Sequence, residues 1–322
     1  MIVRWGLHEL PGVLDELGVA HPYLVTTHRW LDLALPVEPI DTWASSPTHE
    51  IERIAEAARG AGVLLALGGG SAIDLAKAVS AQTELPLVSI PTTYSGAEWT
   101  TFYGVRDPDR RMRGGGADAH PAGIVYEPEL TADLPPAESC GTALNALAHC
   151  AEALYVEGRN DEADLHALTG ARLIATLLPH VLDDGHDLEA RTGLLEGASE
   201  GGAALAGSFL ALGHAMAQAL GGRYGLPHGA LNAICLPAAL RFNAVTVPEA
   251  IARLGEAMGT DDPAAWVEEQ ARRVGFTGLG ALGVPEEELE EIAEATAQRA
   301  GAKANPRPAT AAQIAELFRT VL

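Results

Sequence analysis

Lysine is almost missing from this chain: Lys77 and Lys303 are the only two in 322 residues, and arginine carries the rest of the positive charge. Acidic side chains outnumber basic ones 43 to 21, for a formal net charge of −22. That balance excludes a surface built for the nucleic-acid backbone, which needs a basic face. It leaves room for a small anionic substrate, because a few arginines in a cleft reverse the local field. Cysteine is scarce as well. Cys140, Cys150 and Cys235 are odd in number and widely spaced, which fits free thiols in a reducing compartment, not a disulfide framework. No apolar run reads as long enough to span a bilayer. The start, Met1-Ile-Val-Arg-Trp-Gly, lacks a basic segment followed by an apolar one, so no signal peptide is expected. These absences predict a cytoplasmic chain with no nucleic-acid or membrane partner.

What is present is ample for folding. Apolar residues make up 48% of the chain, and its length favours two domains. The first part alternates short apolar runs with helical patterns. Tyr23-Leu-Val-Thr-Thr and Leu87-Val-Ser-Ile read as strands. Val63-Leu-Leu-Ala-Leu is apolar throughout, as in a strand covered on both faces. Helices are expected over Thr48 to Ala61 and Ala72 to Ala81. Such alternation implies an α/β domain with a parallel sheet and helices on both faces. From Leu134 onward strand signals vanish. Helical spacing runs over Ala137 to Val156, Asp161 to Leu182, Leu188 to Gly221 and Pro248 to Met258. Pro135-Pro136 marks the expected boundary, giving a nucleotide-binding α/β domain over 1–134 and an all-α domain over 135–322.

Two loops of the first part carry ligand-binding signals. Gly68-Gly69-Gly70-Ser71 lies between a buried strand and a helix. Glycines there let backbone amides approach a phosphate, and the helix N-terminus favours the anion. The spacing is not G-x-G-x-x-G, so an ordinary Rossmann assignment does not follow. Pro91-Thr92-Thr93-Tyr94-Ser95-Gly-Ala-Glu98 sets hydroxyls after the next strand, where ligands bind in parallel sheets.

The second part holds three histidines beside small residues: His149, His214 and His228. Asn145 precedes His149 by one helical turn, so both project from one face. His214 reads as mid-helix and His228 as a loop residue, with Asn232 one turn beyond it. Converging imidazoles suit a divalent metal, although asparagine is a poor, neutral ligand. Buried, hydrogen-bonded histidines without a metal are the other reading. His8, His21, His49, His166, His180 and His186 are isolated and expected to be solvated. Arg110, Arg111 and Arg113, with Gly114-Gly-Gly, read as a mobile surface loop; a carboxylate clamp is the sharper alternative.

Taken together, Gly68-Gly-Gly-Ser-Ala-Ile-Asp74-Leu-Ala-Lys77, Pro91-Thr-Thr, His149, His214 and Pro227-His228-Gly resemble the iron-containing alcohol dehydrogenase superfamily. Five stretches look closest to its maleylacetate reductases: Pro91-Thr-Thr-Tyr-Ser-Gly-Ala-Glu, Val125-Tyr-Glu-Pro-Glu-Leu-Thr, Asn145-Ala-Leu-Ala-His-Cys-Ala-Glu-Ala-Leu-Tyr155, Leu220-Gly-Gly-Arg-Tyr-Gly-Leu-Pro-His228 and Asn305-Pro-Arg-Pro308. The resemblance covers nearly the whole chain. It implies the dehydroquinate synthase-like fold, homodimers, and an active site in the cleft between the domains. It implies NADH or NADPH as hydride donor. Cofactor contacts would come from Gly68, Gly69, Gly70, Ser71, Asp74, Thr92, Thr93, Tyr94 and Ser95. Metal-dependent members hold Fe²⁺ or Zn²⁺ with one Asp and three His. Those positions are Asn145, His149, His214 and His228 here, and Asn for Asp is the reductases' substitution, which goes with working without a tightly bound metal.

The chain departs from the reductase pattern at Gly213-His214-Ala215, where two adjacent histidines and a lysine are usual. It departs again at Gln218, where many superfamily members have histidine, and in the loop from Arg110 to His120. Thr27 stands where NAD-preferring relatives often carry an acid for the ribose hydroxyls, and Arg29 follows it, so the choice between NADH and NADPH stays open. The expected chemistry is hydride transfer to a carbonyl or conjugated C=C of a small oxo-acid. His149, His214 and His228 would then serve as proton donors or oxyanion contacts, oriented by Asn145. The rival readings are a metal-dependent alcohol or aldehyde dehydrogenase, a nicotinamide-dependent cyclase or lyase, and a lapsed nucleotide-binding protein. The cyclase family leans on more lysines than this chain has.

Overall fold

A computed structural model describes all residues, Met1–Leu322. The chain divides into two compact units, Met1–Ala132 and Asp133–Leu322. In the first, β1 (Ile2–Trp5), α1 (Leu10–Leu17), β2 (Pro22–Val25), β3 (Asp41–Trp43), α2 (Ile51–Ala57), β4 (Val63–Gly68), α3 (Gly70–Thr83) and β5 (Leu87–Pro91) follow in order. An antiparallel hairpin, β6 (Tyr103–Arg106) and β7 (Met112–Gly116), precedes β8 (Pro121–Tyr126).

The six other strands form one sheet in the order β1-β8-β5-β4-β2-β3, with every pairing parallel. Because side chains alternate across a strand, β4 feeds both cores. Val63, Leu65 and Leu67 pack with α1 on one face, and Leu64 and Ala66 pack with α2 and α3 on the other. Burial on both faces is why β4 shows no polar alternation in sequence. Gly68 at the end of β4 is the register partner of Pro91 at the end of β5. That pairing sets the two polar loops side by side.

The second unit is helical: α4 (Pro136–Ala153), α5 (Asp161–Asp183), α6 (Leu188–Gly207), α7 (Leu212–Tyr224), α8 (His228–Ala244), α9 (Pro248–Met258), α10 (Pro263–Arg273), α11 (Leu289–Ala297), α12 (Ala300–Lys303) and α13 (Ala311–Thr320). By length and composition α5 is long and apolar enough to cross a membrane, which the sequence reading missed. Its apolar side is occupied by α4, α6 and α9, while Glu162 and Arg172 lie on its exposed side.

Four local expectations need correcting. The single helical stretch expected over Leu188 to Gly221 is two helices, α6 and α7, bent by 99° at Ser208–Ala211. α2 starts later than expected because the Thr48 hydroxyl accepts from the Glu50 N–H, a local turn that competes with the helix. The arginine loop is the β6–β7 hairpin, an ordered turn in which Arg113 donates to Asp107 at 2.6 Å. His166 is bonded to Glu200 at 2.6 Å, whereas His8, His21, His49, His180 and His186 are exposed.

Candidate active site

The site in the second unit begins with a close helix crossing. A Cβ on Gly229 would lie 2.5 Å from the backbone of Gly141, so only glycine lets α8 and α4 approach this closely. The crossing brings Asn232 against Asn145, and the Asn232 Nδ2 donates to Asn145 Oδ1 at 2.6 Å. Asn232 Nδ2 also lies 3.0 Å from His228 Nε2, and Asn145 Nδ2 lies 3.4 Å from His149 Nε2. Two carboxamides thus link two imidazoles. His228 is the first residue of α8, not a loop residue, so Asn232 stands one turn below it. His214 sits in the first turn of α7, not mid-helix.

All three rings come together. His149 and His214 stack with centroids 4.7 Å apart, and His228 tilts against His214 at 5.9 Å. His149 and His214 are buried. Burial holds the His149 imidazole well below its ordinary pKa, and the two neighbouring imidazoles add to the effect. A neutral ring is the physical consequence, because a second cation in a dry cluster is unfavourable. His149 Nδ1 and His214 Nε2 are buried and have no partner.

One acidic residue completes the cluster, and sequence reasoning passed over it. Glu152, fully buried on α4, accepts from His214 Nδ1 at 2.8 Å. The signal was its position: Asn145, His149 and Glu152 follow at helical steps of four and three and share one face.

The donors do not fit a tightly held divalent ion. No group of three His, Cys, Asp or Glu side chains is arranged to hold one. The Nε2 atoms of His149 and His228 face amide nitrogens, and the place of an anionic ligand is taken by neutral Asn145. A structural or catalytic metal needs lone pairs converging on one point.

The first unit carries a turn suited to a nucleotide phosphate. Gly68 has φ +151°, and Gly69 caps the N-terminus of α3. A Cβ on Gly69 would sit 2.9 Å from Thr93 Cγ2, and one on Gly70 would sit 3.4 Å from Ser95 Oγ. The two loops are therefore packed as tightly as glycine allows. The bare backbone at a helix N-terminus is what a pyrophosphate requires. The Thr92 N–H donates to Gly68 O at 3.1 Å, and Thr93 Oγ1 is buried and unpaired. Gly68 to Ser71 with Thr92, Thr93 and Ser95 would hold the nucleotide.

Two of the predicted contacts also have partners within the fold. Tyr94 is fully buried with its hydroxyl donating to Thr131. Asp74 accepts from the Gly104 N–H at 3.2 Å and from Lys77 Nζ at 3.3 Å, so it anchors the hairpin. Buried Lys77 also donates to Thr100 and to the Phe102 carbonyl, both at 2.9 Å. It is committed to the hairpin and not free for a substrate phosphate.

Beside this loop Glu98 is buried and accepts from the Tyr126 hydroxyl at 2.8 Å. Burial raises its carboxyl above the usual range, outweighing its hydrogen bonds and nearby Lys77. The fold thus favours the protonated form. That stabilisation is complete below the unfolded-state pKa and is lost as pH rises through the folded value. Glu98→Gln, always neutral, is expected to melt a few degrees above the parent at about pH 8 and to lose that advantage near about pH 4. Thermal unfolding across pH checks this; a difference independent of pH would contradict it.

Residues 139–322 match the Fe-containing alcohol dehydrogenase family, C-terminal, and residues 5–128 match iron-containing alcohol dehydrogenase. The chain is 34% identical over 306 residues to a maleylacetate reductase of Pseudomonas knackmussii, covering 91% of this chain and 87% of that one. It is 36% identical over 326 residues to a maleylacetate reductase of Delftia acidovorans, covering 97% and 92%. The crystal structure of a maleylacetate reductase from Agrobacterium tumefaciens superposes with a TM-score of 0.89 at 29% identity, over 100% of this chain and 95% of that one.

Proposed function

Because the chain belongs to the iron-containing alcohol dehydrogenase family, we propose that it is an NAD(P)H-dependent reductase of the maleylacetate reductase type. It reduces a carbonyl or conjugated C=C of a small oxo-acid and works without a tightly bound metal. The observation that carries this reading is the imidazole cluster tied together by Asn145 and Asn232 in place of a carboxylate ligand.

When bound, the nicotinamide supplies the hydride. The chain's own groups manage the charge and the proton. His149 Nε2 faces an amide donor, so Nδ1 carries the hydrogen and can donate it to a developing oxyanion. His214 Nδ1 is held by Glu152, which leaves Nε2 as the atom that exchanges a proton with substrate. Fixed donors in a dry site stabilise an oxyanion far better than water does. His228, held by Asn232, supports the ring of His214 from one side.

NADH or NADPH serves as donor. Arg29, over the Trp30 ring at 5.0 Å, follows Thr27 in the loop where an acid would repel a 2′-phosphate. The reading extends to a cytoplasmic homodimer; three free buried thiols accord with a reducing compartment.

The test is NAD(P)H oxidation with maleylacetate, with and without a chelator. Turnover is expected, unchanged within about twofold by the chelator, since no lone-pair set is preformed for a metal. Activity lost to the chelator and restored by Fe²⁺ or Zn²⁺ would favour the metal-dependent alcohol dehydrogenase reading. Reduction of other oxo-acids but not maleylacetate would overturn the substrate.

A further inference from the structure

We infer that Glu152 is the positioning residue of this site: it fixes His214 as the Nδ1–H tautomer and so leaves Nε2 turned out for substrate. The last clause rests on the function proposed above; the tautomer does not. The carboxylate is fully buried and makes three bonds. Oε2 accepts from the Ala211 N–H at 2.7 Å and from His214 Nδ1 at 2.8 Å. Oε1 accepts from the His214 N–H at 3.1 Å. Both oxygens already face backbone N–H donors, so the carboxylate acts here as acceptor and His214 Nδ1 as donor.

A capping role alone does not account for this arrangement. Ala211 is the N-cap of α7 and offers no side chain to its own helix. A local serine or aspartate would satisfy the same amides near solvent, without the desolvation of a carboxylate buried on another helix. What a local cap cannot do is reach the ring of the residue three positions on. The other two imidazoles also keep the hydrogen on Nδ1 but are held at the other nitrogen, Nε2, as acceptors. His149 and His228 are each met at Nε2 by an amide nitrogen. Only His214 is gripped through Nδ1 by an acceptor, and its Nε2 is the buried nitrogen left over.

The departure at position 213 follows from the same contact. A Cβ on Gly213 would lie 3.0 Å from Glu152 Oε1 and 3.4 Å from Ala239 Cβ. Glycine gives the carboxylate its place under the first turn of α7. A larger side chain would push it off the two amides and the ring.

The test joins nitrogen NMR of the labelled imidazoles with kinetics on the full chain. In the parent, His214 is expected to carry hydrogen on Nδ1, with a bare Nε2. In Glu152→Leu nothing accepts at Nδ1, so the Nδ1–H preference is expected to be lost and hydrogen to appear on Nε2. Its kcat is expected to fall about 100-fold, the scale of one mispositioned acid–base group, with KM and NAD(P)H affinity within about threefold. Gly213→Ala suits the helix and only displaces the carboxylate; a drop in kcat of about fivefold is expected, with α7 intact by circular dichroism. Hydrogen on Nε2 in the parent, or an unchanged tautomer in Glu152→Leu, would overturn the inference and leave Glu152 a helix cap. A switched tautomer with unchanged kcat would overturn the link to catalysis. A parent that oxidises NAD(P)H with no oxo-acid defeats the proposed function instead, and the tautomer is still read from the resting protein.

Discussion

His214→Asn is expected to lower kcat by about 10²–10⁴-fold, the range for removing a positioned acid–base group. Its ring is 1% exposed, lies against both other imidazoles, and is held by Glu152. Asparagine can keep one bond to that carboxylate but offers no group that takes up and releases a proton near neutral pH. The first turn of α7 keeps its backbone bonds to Glu152, so the helix should form. NAD(P)H affinity should stay within about twofold of the parent, because the phosphate turn and hydroxyl loops lie in the first unit. Steady-state kinetics with a cofactor-binding titration separates the two effects. A kcat within about threefold of the parent would remove His214 from the chemistry.

Gly69→Val is expected to produce the second large effect, on cofactor binding. Its Cβ would meet Thr93 Cγ2 at 2.9 Å and Oγ1 at 3.3 Å. A branched side chain there must push the β4 and β5 loops apart and cover the amides at the start of α3. Loss of close backbone approach to the pyrophosphate should weaken NAD(P)H binding more than tenfold, about 1.4 kcal/mol or above. Quenching or enhancement of NAD(P)H fluorescence on titration gives the dissociation constant. Gly12→Ala is the control, since nothing lies within 4 Å of a Cβ there. Equal affinity in Gly69→Val and parent would show that the phosphate does not lie against this turn.

Elements whose pattern is local were legible in the chain. Val63 to Leu67, apolar throughout, is a strand because both faces are covered. Pro248–Met258 begins and ends as read, with proline at its first turn and Gly259 in the left-handed conformation after it. Proline and glycine act on their own backbone, so neighbours in sequence suffice to read them. The break between α6 and α7 was not legible. Its new N-terminus is capped by Glu152, 59 residues earlier than Ala211, and no local pattern announces a cap from another helix. The internal partners of Tyr94 and Asp74 were not legible for a related reason. Both occur within ligand-binding motifs, yet Thr131 and the β6–β7 hairpin claim their polar atoms.

The sequence by itself determined the two-part architecture, the glycine turn between strand and helix, and the three histidines with a neutral asparagine beside them. These are matters of residue type and short spacing. Tertiary structure alone decided what the histidines have become. Helix packing turned two amides toward Nε2 of His149 and His228 and a carboxylate toward Nδ1 of His214. The place of each ring hydrogen follows from the partner it meets, and those partners are brought together only when α4, α7 and α8 pack.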